Sequence, residues 1–476
     1  MILFWTLVQL ACLNIALGSR HAPGDFEAVS KDRYYIDKTV LIVRFFHFVE
    51  ERKCQIITCP AGFIKSTNLD MIKRFVQIDV DEKGVAKAKN DTRNFRLFND
   101  PKFLVRKYNL IYETHLAEYP VVHLELSDIV GPSVPEILIK LSTKIRKAYQ
   151  EYHWLYKLYS EKYPAGYDPA GNAKERAQLN FMQNIFQPNE LKAADIKQSV
   201  YQLVEILYTY FNKEVIVLID DFDAPLIDTA TNKEHHLALN MVKNIVDEVI
   251  GNLFKADMDK YIKYMLVLGT NLVPLTEENN NIVFRPFLGN HPFAYHFAFT
   301  KEELSAKLQA LDYPPLTFRE VNAQRGGYQL KELRQIMCRP DSIQRFFKNQ
   351  TNDIPPNSWI DSGSLNALSM FLNNTEIRTK VGELLNLGNV TFKVIRPLEV
   401  AHYQKLSEII RGLADVDSFD VDAFFTILLE NGYLAYIENT KLFYGYFAQK
   451  EKILRFKIPN EEVQQVFKVY YSLYKE

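Results

Sequence analysis

Cysteine is scarce in this chain, which has four cysteines among its 476 residues. Cys12 lies in the N-terminal leader described below, so that Cys54, Cys59 and Cys338 remain, an odd number. Cys54 and Cys59 flank a predicted strand, and an extended chain would hold their Cα atoms well beyond bridging distance. We therefore expect that no disulfide framework stabilises the fold.

The chain also lacks an excess of charge of either sign. Its 57 Lys and Arg residues almost balance its 58 Asp and Glu residues. No global field therefore points to nucleic acid or to an anionic membrane as a partner. Long apolar runs are missing after the N-terminus, since even the run that begins at Val215 ends at once at Asp220. We expect no membrane span after the leader.

The N-terminal segment carries no charged side chain until it reaches small residues. The uncharged stretch extends from Ile2 to Leu17, and Ala16 and Gly18 stand where signal peptidase requires small residues. The apolar stretch is short for a membrane span, although the basic residues that usually precede such a stretch are missing. We predict a signal peptide at residues 1–18 and a secreted, extracellular protein. The alternative is an uncleaved signal anchor.

Acceptor triplets for N-linked sugar support secretion mildly. They occur at Asn90, Asn349, Asn373 and Asn389. We take these four asparagines as candidate glycosylation sites. Such triplets also arise by chance in long chains, and the sequence leaves open which of them are used.

Strands and helices alternate through the first part of the mature chain. Strands are predicted at residues 55–58, 119–126, 215–219 and 264–268, and helices at residues 135–163, 196–210 and 235–254. Residues 164–174 are polar and predict an exposed loop. This alternation is typical of an α/β fold with a P-loop NTPase-like doubly wound parallel sheet. We assign residues 24–299 to this first domain.

Helices predominate after residue 299. The patterns predict helices at residues 301–311, 328–337, 364–372, 377–385, 419–430 and 461–474, with strands at 433–437 and 453–458. We therefore predict a second, helix-rich α+β domain at residues 300–476.

The segment between the first predicted strand and its helix has features of a phosphate-binding loop. Such a loop needs inward-pointing backbone N–H groups, a lysine for the terminal phosphates and a hydroxyl that holds Mg²⁺. Gly62 lies in the turn, and Lys65 and Ser66 begin the helix. We take these three as candidate nucleotide-binding residues. The alternative is that Lys65-Ser66 merely caps a helix, since Ile64 replaces the expected glycine.

A second segment ends an apolar strand in paired acids. The run Val-Ile-Val-Leu-Ile followed by Asp220 and Asp221 is typical of a Walker B segment. Asp220 would join Ser66 in holding Mg²⁺, and Asp221 would act catalytically on the attacking water. The alternative is a plain strand followed by an acidic turn, in which residues 223–225 cap the next element. Together, in this order and at this spacing, the two segments favour a P-loop origin, with ATP and Mg²⁺ as ligands if the site is functional and no cofactor otherwise.

Several motifs resemble the predicted AAA-ATPase-like family. They are Tyr35-Ile36-Asp37-Lys38-Thr39, Pro60-Ala61-Gly62-Phe63-Ile64-Lys65-Ser66 with Asn68-Leu69-Asp70-Met71, and Leu218-Ile219-Asp220-Asp221-Phe222-Asp223. Later matches are Phe297-Ala298-Phe299-Thr300 with Glu302-Glu303, Asn431-Gly432-Tyr433-Leu434, and Ile458-Pro459-Asn460-Glu461-Glu462-Val463. The resemblance covers about residues 24–467 and implies a P-loop fold with ATP and Mg²⁺ as ligands. Many members of the family continue into a nuclease-like C-terminal domain, and we expect this chain to lack one.

The sequence departs from the family at the nucleotide loop. Typical members have Arg-Arg where this chain has Ala61-Gly62, glycine where it has Ile64, and glutamate where it has Asp221. They also tend to carry an arginine soon after the strand holding Gly269, and no arginine occurs here between Met265 and Phe284. Losing cations and backbone access should weaken phosphate binding and slow turnover.

These departures lead to two hypotheses of different classes. The first is a secreted AAA-ATPase-like protein with a degraded nucleotide loop, which acts by binding an extracellular partner and hydrolyses ATP weakly or not at all. The second is an active Mg²⁺-dependent ATPase of the secretory lumen or the extracellular space, which the retained Lys65, Ser66 and Asp220 favour. A lumenal or cytoplasmic protein without a signal peptide is a third reading. The sequence identifies neither the partner nor the oligomeric state.

Overall fold

The computed structural model describes most of the chain after the predicted signal peptide. The described residues are 24–49, 53–164, 173–187, 191–232, 239–254, 260–274, 282–289, 291–314, 317–330, 335–349, 369–437 and 453–475. The predicted signal peptide at residues 1–18 lies outside them.

A five-stranded parallel sheet forms the centre of the N-terminal part. Its strands are β1 (Cys54–Thr58), β2 (Val121–Glu125), β3 (Val215–Asp220), β4 (Ile262–Gly269) and β5 (Ile282–Arg285). They lie in the order β2-β3-β4-β1-β5, and each neighbouring pair is parallel. The predicted α/β fold with a parallel sheet is thereby confirmed. The edge strand β5 was not predicted from the sequence.

Helices connect these strands and cover the sheet. They are α1 (Phe26–Ser30), α2 (Val40–Val49), α3 (Lys65–Val76), α4 (Arg93–Phe98), α5 (Asn109–His115), α6 (Val134–Gln150), α7 (His153–Lys162), α8 (Ala173–Phe186), α9 (Ala193–Phe211), α10 (Ala224–Thr231) and α11 (Leu239–Gly251). Every residue of β1 and β3 is buried. Burial on both faces explains why these strands form apolar runs rather than alternating patterns.

Two predicted segments of this part differ from the structure. The predicted helix at residues 135–163 is two helices, because the chain leaves the α-helix at Glu151 and Tyr152. The Tyr152 hydroxyl there donates a hydrogen bond to the carbonyl oxygen of Val121, at 2.5 Å, which ties the break to the sheet. Lys174, predicted to lie in a loop, belongs to α8. Residues 165–172 of that loop and residues 235–238 of the predicted helix at 235–254 lie outside the described residues.

The remaining part is rich in helices, as predicted. They are α12 (Lys301–Ala310), α13 (Thr317–Arg325), α14 (Pro340–Asn349), α15 (Thr375–Leu387), α16 (Val400–Ile410), α17 (Val421–Glu430) and α18 (Glu461–Lys475). The strands are β6 (Phe299–Thr300), β7 (Tyr328–Leu330), β8 (Gln335–Cys338), β9 (Val390–Lys393), β10 (Ala435–Tyr436) and β11 (Ile453–Lys457). They form two antiparallel sheets, ordered β6-β8-β7 and β10-β11-β9. The domain boundary between residues 299 and 300 stays a prediction.

The predicted helix at residues 328–337 is wrong. The chain instead forms the antiparallel pair β7 and β8, in which Tyr328 lies opposite Met337. Gly327 precedes this pair with φ 80°, a conformation that ends helical geometry. The Tyr328 ring is buried edge-on against Phe63, with ring centroids 5.3 Å apart. Packing against the N-terminal part therefore overrides the local helical pattern.

Three further predictions concern membrane-spanning helices, the cysteines and the segment at residues 364–372. Within the described residues, no helix is long and apolar enough to cross a membrane. Cys54, Cys59 and Cys338 are buried free thiols. The predicted helix at residues 364–372 is described only from Ser369, where the chain forms a short 3₁₀ helix, Ser369–Asn373.

Candidate functional site

The candidate site lies at the carboxyl edge of the parallel sheet. The loop after β1 carries Gly62 and Ile64, the loop after β3 carries Asp221, and the loop after β4 carries Thr270. Strand β4 lies between β1 and β3, so its loop separates the other two loops. Ligands of open α/β sheets bind at this edge, because all parallel strands end there.

The phosphate loop places a β-branched residue in a left-handed conformation. Ile64 has φ 40° and ψ 31° and directly precedes α3, and no side chain caps the helix there. Gly62, two positions earlier, has φ 80°. Glycine adopts such angles freely, whereas a branched side chain is strained in them. The expectation that this position calls for glycine therefore agrees with the backbone angles.

The side chain of Lys65 is directed back at its own loop. Its Nζ donates hydrogen bonds to the carbonyl oxygen of Cys59 at 2.8 Å and to Thr270 Oγ1 at 3.0 Å. The carbonyl oxygen of Pro60 lies 3.4 Å from the same nitrogen. Lys65 is buried. A phosphate group would therefore compete with these three oxygens for the ammonium.

The two residues predicted to hold Mg²⁺ meet in the structure. Ser66, in the first turn of α3, lies near the carboxyl group of Asp220, which is buried at the end of β3. Burial and the neighbouring Asp221 raise the pKa of Asp220 to about 6. Magnesium sites on nucleotides commonly use one or two carboxylates and the phosphates themselves. This donor pair fits that chemistry, with Asp220 in its ionised form.

Asp221, the carboxylate predicted to act on the attacking water, follows Asp220 and has a left-handed backbone conformation. It has φ 50°, and burial raises its carboxyl pKa. Its N–H donates to Asp220 Oδ1 at 3.1 Å. Within the described residues, no cluster of three or more His, Cys, Asp or Glu side chains is placed to hold a metal ion. A metal here would therefore depend on Ser66, Asp220 and oxygens of the nucleotide.

Asp223 has a structural role that the sequence did not reveal. Its Oδ1 accepts a hydrogen bond from the Thr270 N–H at 3.0 Å, and its Oδ2 accepts from the Asn271 N–H at 2.6 Å. Asp223 is the N-cap residue of α10, in line with the alternative reading of residues 223–225, but its side chain makes no capping hydrogen bond to that helix. Since Thr270 contacts Lys65, Asp223 fixes the loop that positions the lysine. The sequence signals this role of Asp223 only by placing a third acidic residue shortly after the pair Asp220 and Asp221.

The C-terminal part also contacts the loop after β4. Glu430 Oε2 accepts a hydrogen bond from the Leu272 N–H at 3.1 Å, and the Asn431 amide donates to Asn271 Oδ1 at 3.1 Å. Glu430 is fully buried and pairs with Arg396, whose Nε lies 3.1 Å from Glu430 Oε1. Burial raises the pKa of Glu430 to about 7. The helix-rich part therefore helps to shape the candidate site.

Gly269, the last residue of β4, leaves no room for a side chain. A Cβ atom there would lie 2.5 Å from Phe222 Cε1 and 2.6 Å from Asp223 Oδ1. We expect Gly269→Ala to reduce the free energy of unfolding by about 1–3 kcal/mol, as overpacking of a filled core does. Gly251→Ala is the matched control, because a Cβ atom there would have nothing within 4 Å. Urea denaturation of both variants checks this, and equal stability of the two would contradict the close packing.

Asp220 should carry a cost in stability that depends on pH. Its pKa rises from 3.8 to about 6 on folding, so the folded protein keeps a proton that the unfolded chain loses. Stability contributed by this group therefore falls as pH rises from about 4 to about 7. Asp220→Asn should raise the free energy of unfolding by up to about 3 kcal/mol at pH 8, with little gain at pH 4.

Thermal unfolding of wild type and Asp220→Asn at both pH values measures this difference. The same variant should lose Mg²⁺-dependent nucleotide binding, because the amide is a poor metal ligand. A stability change of the same size at pH 4 and pH 8 would mean that Asp220 is ionised at little cost.

Comparisons with known proteins found a similar solved structure and a matching family model. A Walker-type ATPase of Pyrococcus abyssi has a similar structure, with a TM-score of 0.42 and 10% sequence identity over 91% of this chain and 96% of that chain. No curated protein matches the sequence. A family model described as predicted AAA-ATPase matches residues 24–277, which is more than half of the 476 residues. The chain therefore belongs to the predicted AAA-ATPase family.

Proposed function

We propose that this chain is a secreted binding protein whose Mg²⁺-ATP site has lost most of its hydrolytic activity. The left-handed backbone of Ile64, at φ 40°, is the observation that carries the proposal. Glycine there would let the loop exchange freely between ligand-free and phosphate-bound conformations. A branched residue opposes that exchange, so the loop should bind phosphate weakly.

Slow hydrolysis is supported by the surroundings of Asp221. Its arm is one methylene shorter than the glutamate of typical family members, and its backbone already has the strained φ of 50°. The loop after β4 offers Thr270 and Asn271 rather than an arginine. Arginines that stabilise the transition state contribute about 10³–10⁵ to turnover in P-loop enzymes. The proposed role is therefore to bind an extracellular partner. ATP, the substrate of an active enzyme, is normally scarce outside cells.

A second candidate is an active Mg²⁺-dependent ATPase of the secretory lumen or extracellular space. The retention of both Ser66 and Asp220 favours it, because these are the two side chains that would hold Mg²⁺. Release of phosphate from ATP by the purified protein separates the two candidates. The first predicts turnover slower than about 0.001 s⁻¹, the range of P-loop NTPases without a supplied arginine. Turnover above about 1 s⁻¹ that disappears in Asp220→Ala would establish the second.

Secretion has its own expected result. The mature protein should begin near Ser19 and carry N-linked sugar. Asn90 and Asn373 are exposed, so they are the better acceptors, whereas Asn389 is half-buried and its amide donates to the carbonyl oxygen of Leu387 at 3.0 Å. The side chain of Asn349 lies outside what the structure describes. Intact mass of protein secreted by eukaryotic cells tests this; retention of Met1 without glycan mass would exclude it.

A further inference from the structure

Arg339 reaches the phosphate loop from a distant part of the sequence. It lies between β8 and α14, and its side chain is only 6% exposed. Its Nε donates a hydrogen bond to the carbonyl oxygen of Ala61 at 3.2 Å. The N–H of Asp341, on the first turn of α14, donates to the carbonyl oxygen of Gly62 at 3.2 Å. Two contacts thus fasten this segment to the apex of the loop.

The absence of a side chain at Gly62 makes this contact possible. A Cβ atom on Gly62 would lie 2.3 Å from Arg339 Nε, 2.7 Å from Nη2 and 2.8 Å from Cζ. The guanidinium therefore fills the space that any larger residue at position 62 would occupy. Glycine at position 62 therefore admits Arg339 to the apex of the loop.

Charge at this position has a direct consequence for an anionic ligand. Terminal phosphates of a nucleotide meet the N–H groups of such a loop, and a cation held against the loop apex adds attraction there. Burial strengthens this attraction, because little water screens the charge. Asp341 Oδ2 lies 3.5 Å from Arg339 Nη2 and offsets part of the charge, but that carboxylate is 34% exposed and also pairs with Arg345.

We infer that Arg339 is a phosphate-binding residue of the nucleotide site, supplied by the C-terminal part in place of the missing loop arginines. This inference rests on the proposed function, in which a nucleoside triphosphate binds at the loop. Its contact is with the terminal phosphates rather than with the base. The residue therefore raises the affinity for triphosphate more than the affinity for monophosphate.

The test compares Arg339→Met with Arg345→Met. Arg345 lies on α14, which begins directly after Arg339, shares Asp341 as a partner and is 40% exposed, so its loss removes a nearby charge without touching the loop. Binding of Mg²⁺-ATP and of AMP is measured by calorimetry on the full mature chain. Arg339→Met should weaken ATP binding about tenfold or more, and it should weaken AMP binding less than about threefold. Arg345→Met should change neither.

Arg339→Lys guards against a folding defect, because it keeps the charge while losing the fork of donors. It should recover most of the ATP affinity lost in Arg339→Met. Equal losses for ATP and AMP, or no loss for either, would overturn the inference while leaving the proposed function intact. If the wild-type protein binds no Mg²⁺-ATP, the inference fails, whereas fast turnover of ATP would instead overturn the proposed function.

Discussion

Lys65→Ala is expected to weaken Mg²⁺-ATP binding roughly ten- to a hundredfold, whereas Asp221→Ala changes it little. Losing a charge-assisted contact costs about 1.5–3 kcal/mol. The Lys65 ammonium already lies in the loop, where it donates hydrogen bonds to the carbonyl oxygen of Cys59 and to Thr270 Oγ1. From there it can turn to a phosphate group. Asp221 would act on the attacking water, which contributes to turnover rather than to affinity. Displacement of a fluorescent ATP analogue measures both variants.

Stability must be followed alongside, because the hydrogen bonds of Lys65 also hold the ligand-free loop together. Thr270→Val is the matched control, since it removes the hydroxyl partner of Lys65 and keeps the lysine. It should lower thermal stability slightly and leave most of the nucleotide affinity. Small, equal effects of Lys65→Ala and Asp221→Ala on binding would mean that any ATP on this protein binds elsewhere.

Ile64→Gly is expected to strengthen Mg²⁺-ATP binding by about 1–3 kcal/mol, the size of a relieved backbone strain. Ile64 holds φ 40° and ψ 31°, where the branched side chain restricts the loop. Glycine adopts these angles and their alternatives at little cost, so the N–H groups can approach phosphate. Hydrolysis should stay low, because this variant still has Asp221 in place of glutamate and still lacks the arginines of typical family members. Thermal shift with and without Mg²⁺-ATP measures the gain.

Ile64→Ala separates backbone strain from bulk. Alanine keeps the Cβ atom but removes the branch and the apolar contact with the smaller core cluster that includes Phe347. If backbone freedom is the cause, alanine should recover less affinity than glycine. Full recovery by alanine would assign the effect to side-chain bulk. If the wild type already binds ATP tightly and the glycine variant binds no better, the loop is not damaged.

The parallel sheet was predictable because its strands are buried on both faces. Runs such as the one in β3 are apolar at every position until Asp220, and they alternate with helical patterns. The edge strand β5 was missed, since it has only four residues and three of them are half-exposed. The pair β7 and β8 was assigned as helix because burial of Tyr328 against Phe63 depends on residues far away in sequence.

Part of the site was predictable for a similar reason. Lys65, Ser66 and Asp220 follow buried strands or begin a helix, and such positions meet at one edge of the sheet. The roles of Asp223, Glu430 and Arg339 could not be predicted, because each depends on a long-range contact. Local patterns carry no record of such contacts.

A family motif illustrates the same limit. Lys38 belongs to the matching motif at residues 35–39; it is buried and forms an ion pair with Glu303 at 2.5 Å. Glu303 also accepts a hydrogen bond from the Thr300 N–H at 2.8 Å as part of a capping box. The two matching motifs therefore stabilise each other, a role that neither reveals alone.

The central claim is that the phosphate loop binds Mg²⁺-ATP weakly and turns it over slowly. Calorimetric titration of the purified mature protein with ATP, with and without Mg²⁺, tests it most directly. We expect a Mg²⁺-dependent dissociation constant for ATP weaker than about 10 μM, which corresponds to a binding free energy weaker than about −7 kcal/mol. A dissociation constant below about 0.1 μM in wild type, together with steady release of phosphate, would contradict the account.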